Sequence, residues 1–339
     1  MSNRRYWQVV MAAPPDALAR TVREAEDAGL EGIWVPQLHS PPFVTLAAAA
    51  MVTKRILLGT GIALAFTRSP VETALSALDL DTVSGGRTVL GLGTSIRTFN
   101  EDVHGVVYGK PVAHLREVVQ MVRAITTGGH AGKLGKIAGA YHKLDLGALR
   151  TGKPVRERIP IWLPALFEST VRLAAEVGDG LIGHPVWSAR WVSNEVTRNL
   201  DAALAKAGRK RADLKINLWL YSAINKDRQR AIDDARSTVA VYAQIAQYEK
   251  YFAAHGFGEQ ARAIAAAAAR KDLVAMRKAV PDEMVTTFAL VGTPEECRER
   301  IEEFWKLADS ITLTPPNAML DGATIAGYQK AIADTFYGR

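Results

Sequence analysis

One feature limits the possible folds of this 339-residue chain more than any other: short apolar runs and amphipathic runs take turns along its length. YWQVVMAA (6–13) reads as a strand, and PPDALARTVREAEDAG (14–29) as a helix with proline at its start and Gly29 at its end. The strand pattern returns at 30–36, 55–64, 87–93, 159–165, 180–186, 214–224 and 310–316, each time followed by helical sequence. Eight such units predict an α/β fold, a closed parallel (β/α)8 TIM barrel with insertions, whose site lies at the C-terminal ends of the strands. The glycine-rich stretch near 129–158 reads as a loop or hairpin insertion, and 226–280 as a helical one, within a single domain spanning 1–339.

Composition closes off other classes. Hydrophobic residues at 48% and charged residues at 23% are those of a globular protein, with no linker-like or disordered tract. Residues 32–53 lack charge but contain Gln37, His39 and Pro41–Pro42, so no membrane span is expected there. MSNRRYWQVV has no apolar core or cleavage site after its arginines, which leaves a cytoplasmic address as the expectation. A single cysteine, Cys297, excludes intrachain disulfides, and seven histidines without an HxxxH pair make a metal site unexpected. The net charge of +7 could suit nucleic acid, but the densest basic run, AGRKRADLK (207–215), has no interleaved aromatics and reads as a solvated loop. An anionic small-molecule cofactor stays open as the partner.

Four strand ends carry candidate chemistry. In WVPQLHSPP, His39 follows the second strand, where an imidazole could serve as general acid or base, or simply cap the next helix. In RILLGTGIALAFTRSP, Gly59 and Gly61 interrupt an apolar strand just before its end, which signals either a tight bulge or a place where a ligand approaches the backbone. VLGLGTSIRTFNED (89–102) has Ile96 where a dinucleotide fingerprint needs its third glycine, so it fails as that motif. It remains a glycine-rich loop with Thr94, Ser95, Arg97 and Asn100 as donors. Ala165 to Glu168 lead into a helix start suited to an anion, and Gly183 with His184 ends the next strand.

Taken in order, EDAGLEGIWV, ILLGTGIALAFTRSPVETA, SGGRTVLGLGTS, IPIWLPA with RLAAEVGDG, and FALVGTPEECRERIEEF resemble the bacterial-luciferase-like superfamily, in its branch that uses the deazaflavin coenzyme F420 and includes methylenetetrahydromethanopterin reductase. The resemblance covers nearly the whole chain. It implies a deazaflavin across the strand ends, backed by a bulge at Thr60, Gly61 and Ile62 with a non-prolyl cis peptide between the last two. It further implies Gly93, Thr94 and Ser95 at the ring or side chain, and Ala165, Leu166, Gly183 and His184 at the ribityl or phosphate portion. Several members carry an acidic residue followed by histidine after the second strand; here Gln37 and Leu38 stand in those places, with His39 one position later and Gln37 as a candidate contact to the ring's polar edge. The implied activity is F420-dependent hydride transfer to or from a small organic substrate, with His39 as the proton carrier, in a homodimer. A reduced-FMN monooxygenase of the same superfamily, and a barrel that binds such a ring without turning it over, are the alternatives.

Overall fold

Local chemistry sets the element boundaries. Ser69 caps a helix by accepting the Glu72 amide at 3.0 Å, Pro70 fills the first turn, and Gly85 ends it in the left-handed conformation at φ 67°. The computed structural model describes residues 4–38 and 40–337. They form two compact units, one comprising the chain up to Gly183 together with Val196–Asn217, the other His184–Glu195 and the chain from Leu218.

The first unit runs β1 (Tyr6–Val9), α1 (Pro15–Asp27), β2 (Gly32–Val35), α2 (Pro42–Val52), β3 (Leu57–Thr60), β4 (Ala63–Leu64), α3 (Pro70–Ser84), β5 (Thr88–Gly93), α4 (Pro111–Gly128), the hairpin β6 (Lys136–Ala138) and β7 (Lys143–Asp145), β8 (Ile161–Ala165), α5 (Glu168–Val177) and β9 (Gly180–Gly183). After α6 (Ala189–Trp191) in the second unit, α7 (Thr197–Lys206) and the start of β10 (Lys215–Ile224) belong to the first. Within it, β1, β2, β3, β5, β8, β9 and β10 pair in that order, all parallel.

The second unit adds α8 (Arg228–Ala243), α9 (Glu249–Ala253), α10 (Gly258–Ala269), α11 (Leu273–Lys278), α12 (Asp282–Phe288), β11 (Leu290–Gly292), α13 (Pro294–Arg300), α14 (Glu302–Trp305), β12 (Ser310–Thr314) and α15 (Gly322–Phe336). There β10 pairs in parallel with β11, Ser222 opposite Leu290. The sequence pattern did not anticipate β11, because three residues between α12 and the Thr293 capping box are too few to show a period.

One packing device recurs in the first unit. Trp7 lies opposite Gly32, Trp34 opposite Gly59 and Trp162 opposite Gly180 on neighbouring strands. A methyl group on each glycine would come within 2.2–2.5 Å of the facing indole. The three rings meet one another, Trp7 and Trp34 stacked at 4.3 Å and Trp162 tilted at 5.8 and 5.6 Å from them. Gly59 therefore makes room for an indole inside the fold, a core reason for one of the two glycines that interrupt this strand.

The expected single strand 55–64 is broken into β3 and β4. Gly59 pairs with Val89 and Ala63 with Leu92, so four steps on one strand oppose three on the other, which defines a bulge. The Gly61–Ile62 peptide inside it is cis.

Candidate cofactor site at the strand ends

Gln37, just past β2, holds this bulge from one side. Its amide donates to the Ile62 carbonyl at 3.1 Å, and its Oε1 accepts from the Leu64 amide at 3.0 Å and from Arg68 Nη1 at 2.9 Å. Its Nε2 donates to Thr67 Oγ1 at 3.3 Å. From the other side Gly93 admits the bulge, for a Cβ there would lie 2.2 Å from Ile62 Cδ1 and 2.6 Å from Pro164 Cγ. Ile62 itself is half-buried, so the bulge is anchored but not sealed.

Thr60 is fully buried, and its hydroxyl donates to the Gly91 carbonyl at 2.8 Å. Its side chain thus joins strands, and only its backbone belongs to the bulge. The loop after β5 is held from beneath. Asn100 Nδ2 donates at 2.8 Å to the carbonyls of both Thr94 and Ile96, and the Tyr108 hydroxyl donates to the Ser95 carbonyl at 3.0 Å. Ser95 sits at φ 55°, a conformation a non-glycine residue adopts only when its surroundings enforce it. The Oδ1 of Asn100 is buried without a partner, an acceptor that would gain from an added donor.

Ala165 and Gly183 lie in register at the ends of β8 and β9. The amides of Leu166 and Phe167, which the sequence suggested for an anion, both donate to Thr170 Oγ1, at 3.1 and 3.2 Å. Glu168 opens α5 and pairs with Arg172, so the first turn already carries a carboxylate. These two facts weaken the helix start as a phosphate seat.

His184 is described within the second unit. Its Nδ1 accepts from the Val186 amide at 3.4 Å, which leaves Nε2 to donate to the Tyr248 hydroxyl at 3.2 Å. Tyr242 and Tyr248 stand edge-on to its ring. Burial among them pushes its pKa down to about 3, so the imidazole is neutral at physiological pH. Trp187 is buried, and Trp191 packs edge-on against Tyr251. His39 lies outside the described residues.

The strand ends of the first unit thus gather Gln37, the 61–62 peptide, Gly93, Thr94 and Ser95, and add two groups of note, Arg68 and Asn100. Arg68 escaped the sequence reading; the only signal was its place in TRSP, between an interrupted strand and a capped helix. Amides, hydroxyls and one guanidinium bind and orient a polar ring, but none of them exchanges a proton near neutral pH. A planar anionic ligand fits this set: Arg68 has no carboxylate within ion-pair distance among the described residues, and half-buried Ile62 leaves the bulge open.

A family model described as luciferase-like monooxygenase matches residues 2–310. The 5,10-methylenetetrahydromethanopterin reductase of Archaeoglobus fulgidus is 33% identical over 296 residues, 84% of this chain and 85% of that protein. A putative coenzyme F420-dependent oxidoreductase of Mycobacterium tuberculosis is 30% identical over 324 residues, 89% and 90% of the two chains. The structure of coenzyme F420 dependent tetrahydromethanopterin reductase from Methanopyrus kandleri superimposes with a TM-score of 0.81 at 22% identity, covering 98% of this chain and 100% of that one. The fold is accordingly the luciferase-like (β/α)8 barrel, and the chain belongs to the luciferase-like monooxygenase family.

Proposed function

We propose that this oxidoreductase moves a hydride between C5 of coenzyme F420 and a carbon of a small organic substrate. The observation that carries the reading is the rim of the first unit. There a Gln37-clamped bulge and the Thr94–Ser95 loop, held by Asn100 and Tyr108, share one end of a parallel sheet. The relatives named for F420 dependence support it. When bound, the deazaflavin supplies two-electron hydride chemistry.

The chain's own residues have narrower tasks. The backbone of Thr60, Gly61 and Ile62 backs the ring, and Gly93, Thr94 and Ser95 contact it or its side chain. Ala165, Leu166 and Gly183 serve the ribityl or phosphate side by packing, since Thr170 already takes the Leu166 amide, and His184, being neutral, serves it as a hydrogen-bonding and packing group and not as a cation. His39 accepts the proton of a carbinol during oxidation or returns it during reduction.

We place the enzyme in the cytoplasm as a homodimer acting on a small molecule. Among the described residues no helix is long and apolar enough to cross a membrane. The exposed side of α2 presents Val44 and Met51, 71% and 76% exposed, a face that a second copy would cover.

The family model's description as a monooxygenase favours reduced FMN as a second reading. Titrating the purified protein with each cofactor separates the two. F420 fluorescence should change at micromolar or lower concentrations, and FMN should bind at least about tenfold more weakly. Tighter binding of FMN, with no response to F420, would reverse the assignment.

A further inference from the structure

Arg68 is held unlike the other half-buried arginines of its unit. Arg87 donates to four carbonyls, of Ser84, Ile56, Ala50 and Thr53, at 2.7–3.1 Å. Arg156 grips both carboxylate oxygens of buried Asp81, at 3.0 and 2.6 Å. Arg68 has a single hydrogen bond, from Nη1 to the neutral Oε1 of Gln37, and that oxygen already receives the Leu64 amide. Its guanidinium lies 5.4 Å from the Phe43 ring centre, and no carboxylate among the described residues stands within ion-pair distance. Glu72 acts on it only through space, and burial lowers its affinity for its proton.

A partly desolvated cation with unused donors is costly to maintain unless an anion completes it. Its position explains where that anion comes from. Gln37 binds Arg68 and the bulge at once, so one residue ties the guanidinium to the segment that carries the 61–62 peptide. A carboxylate at position 37 would neutralise the arginine from within, whereas glutamine leaves its charge available.

We propose that Arg68 is an anion-recognition residue of this rim, receiving a carboxylate, phosphate or enolate oxygen of the bound ligand. The proposal rests on the functional reading above only for the identity of the ligand's ring. The oxyanion has two sources, the cofactor or a substrate that carries a carboxylate, and the guanidinium suits either because its planar donors match paired oxygens.

The test compares wild type with Arg68→Gln, Arg68→Lys and Gln37→Glu. Probes are coenzyme F420, its phosphate-free ring precursor, sodium benzoate and neutral benzamide, read by fluorescence titration and by thermal shift. Arg68→Gln should weaken the anionic probes about 10- to 100-fold and leave benzamide unchanged, as expected for loss of a charge-assisted bond. Arg68→Lys should retain part of the affinity. Gln37→Glu should mimic Arg68→Gln while raising the melting temperature, because it pairs the arginine internally; this variant keeps the test decisive if Arg68→Gln folds poorly.

A loss confined to F420 assigns the oxyanion to the cofactor tail, a loss shared by F420 and its ring precursor assigns it to the ring, and a loss confined to benzoate assigns it to the substrate. If wild type ignores F420 and its precursor, the cofactor reading fails, and the benzoate arm alone decides on Arg68. Equal anion affinities in all four proteins, no anion binding to wild type, or a change only in oligomeric state would overturn the proposal.

Discussion

Replacing Gly59 by alanine tests the packing that shapes the third strand. The added methyl would lie 2.2 Å from Trp34 Cε3 and 2.3 Å from Cζ3, more than an ångström inside ordinary contact. Trp34 is fully buried and stacked at 4.3 Å on Trp7, which is itself wedged over Gly32, so the indole has nowhere to withdraw. Overpacking of this kind costs about 1–3 kcal/mol, and the coupled rings put Gly59→Ala near the top, about 3 kcal/mol. At roughly 2 °C per kcal/mol for a chain of this size, the apparent melting temperature should fall about 6 °C. Scanning calorimetry at one fixed rate, with Gly327→Ala as a control where nothing lies within 4 Å of the new methyl, reads this directly. Trp34→Leu leaves a cavity and costs about 2–4 kcal/mol alone. Combined with Gly59→Ala it should be at least about 1 kcal/mol less damaging than the sum, because the clash partner is gone. A Gly59→Ala protein melting within about 1 °C of wild type, or strict additivity in the double variant, would refute the argument.

Further outcomes follow from other parts of the molecule. Buried His114 lies between the rings of Phe66 and Tyr141, and its Nε2 meets His142 Nε2 at 3.1 Å; burial lowers the pKa of both. The fold therefore favours their neutral forms, and their contribution, fully present above about pH 6.5, is lost as pH falls through the depressed folded values. The protection of the 140–142 amides, which donate to Glu117, measured relative to the intrinsic exchange rate at each pH, should fall between pH 7.5 and 5.5, and His114→Phe should flatten that response. Ser188 caps α6 by accepting the Trp191 amide at 3.0 Å and lies 2.8 Å from His255 Nε2, so Ser188→Ala should lower stability by about 1–2 kcal/mol in urea titration. His39→Ala should reduce turnover about 10²- to 10⁴-fold and remove the ionisation near neutrality from the rate profile, with F420 affinity within about twofold of wild type.

The barrel was legible because strand and helix periods are dictated locally, by alternating burial in short runs and by caps such as Ser69–Pro70 and Thr293–Pro294. The bulge was legible as well, since Gly59 and Gly61 announced an interruption, but the letters could not divide their roles. Gly59 answers to an indole on the neighbouring strand and Gly61 to the bulge, a distinction that depends on register. For the same reason the hydroxyl of Thr60 proved to be bound to Gly91, and the amide of Leu166 to Thr170. Arg68 stayed hidden because an arginine in a loop shows its significance only through the carboxylate it lacks.

The proposed activity requires a deazaflavin resting on the bulged end of β3. A crystal structure of the protein grown with coenzyme F420 measures this most directly. Three-ring density is expected against the 61–62 peptide, with the Thr94–Ser95 loop at the ring or its side chain. Density for the cofactor elsewhere, with the bulge bare, would contradict this.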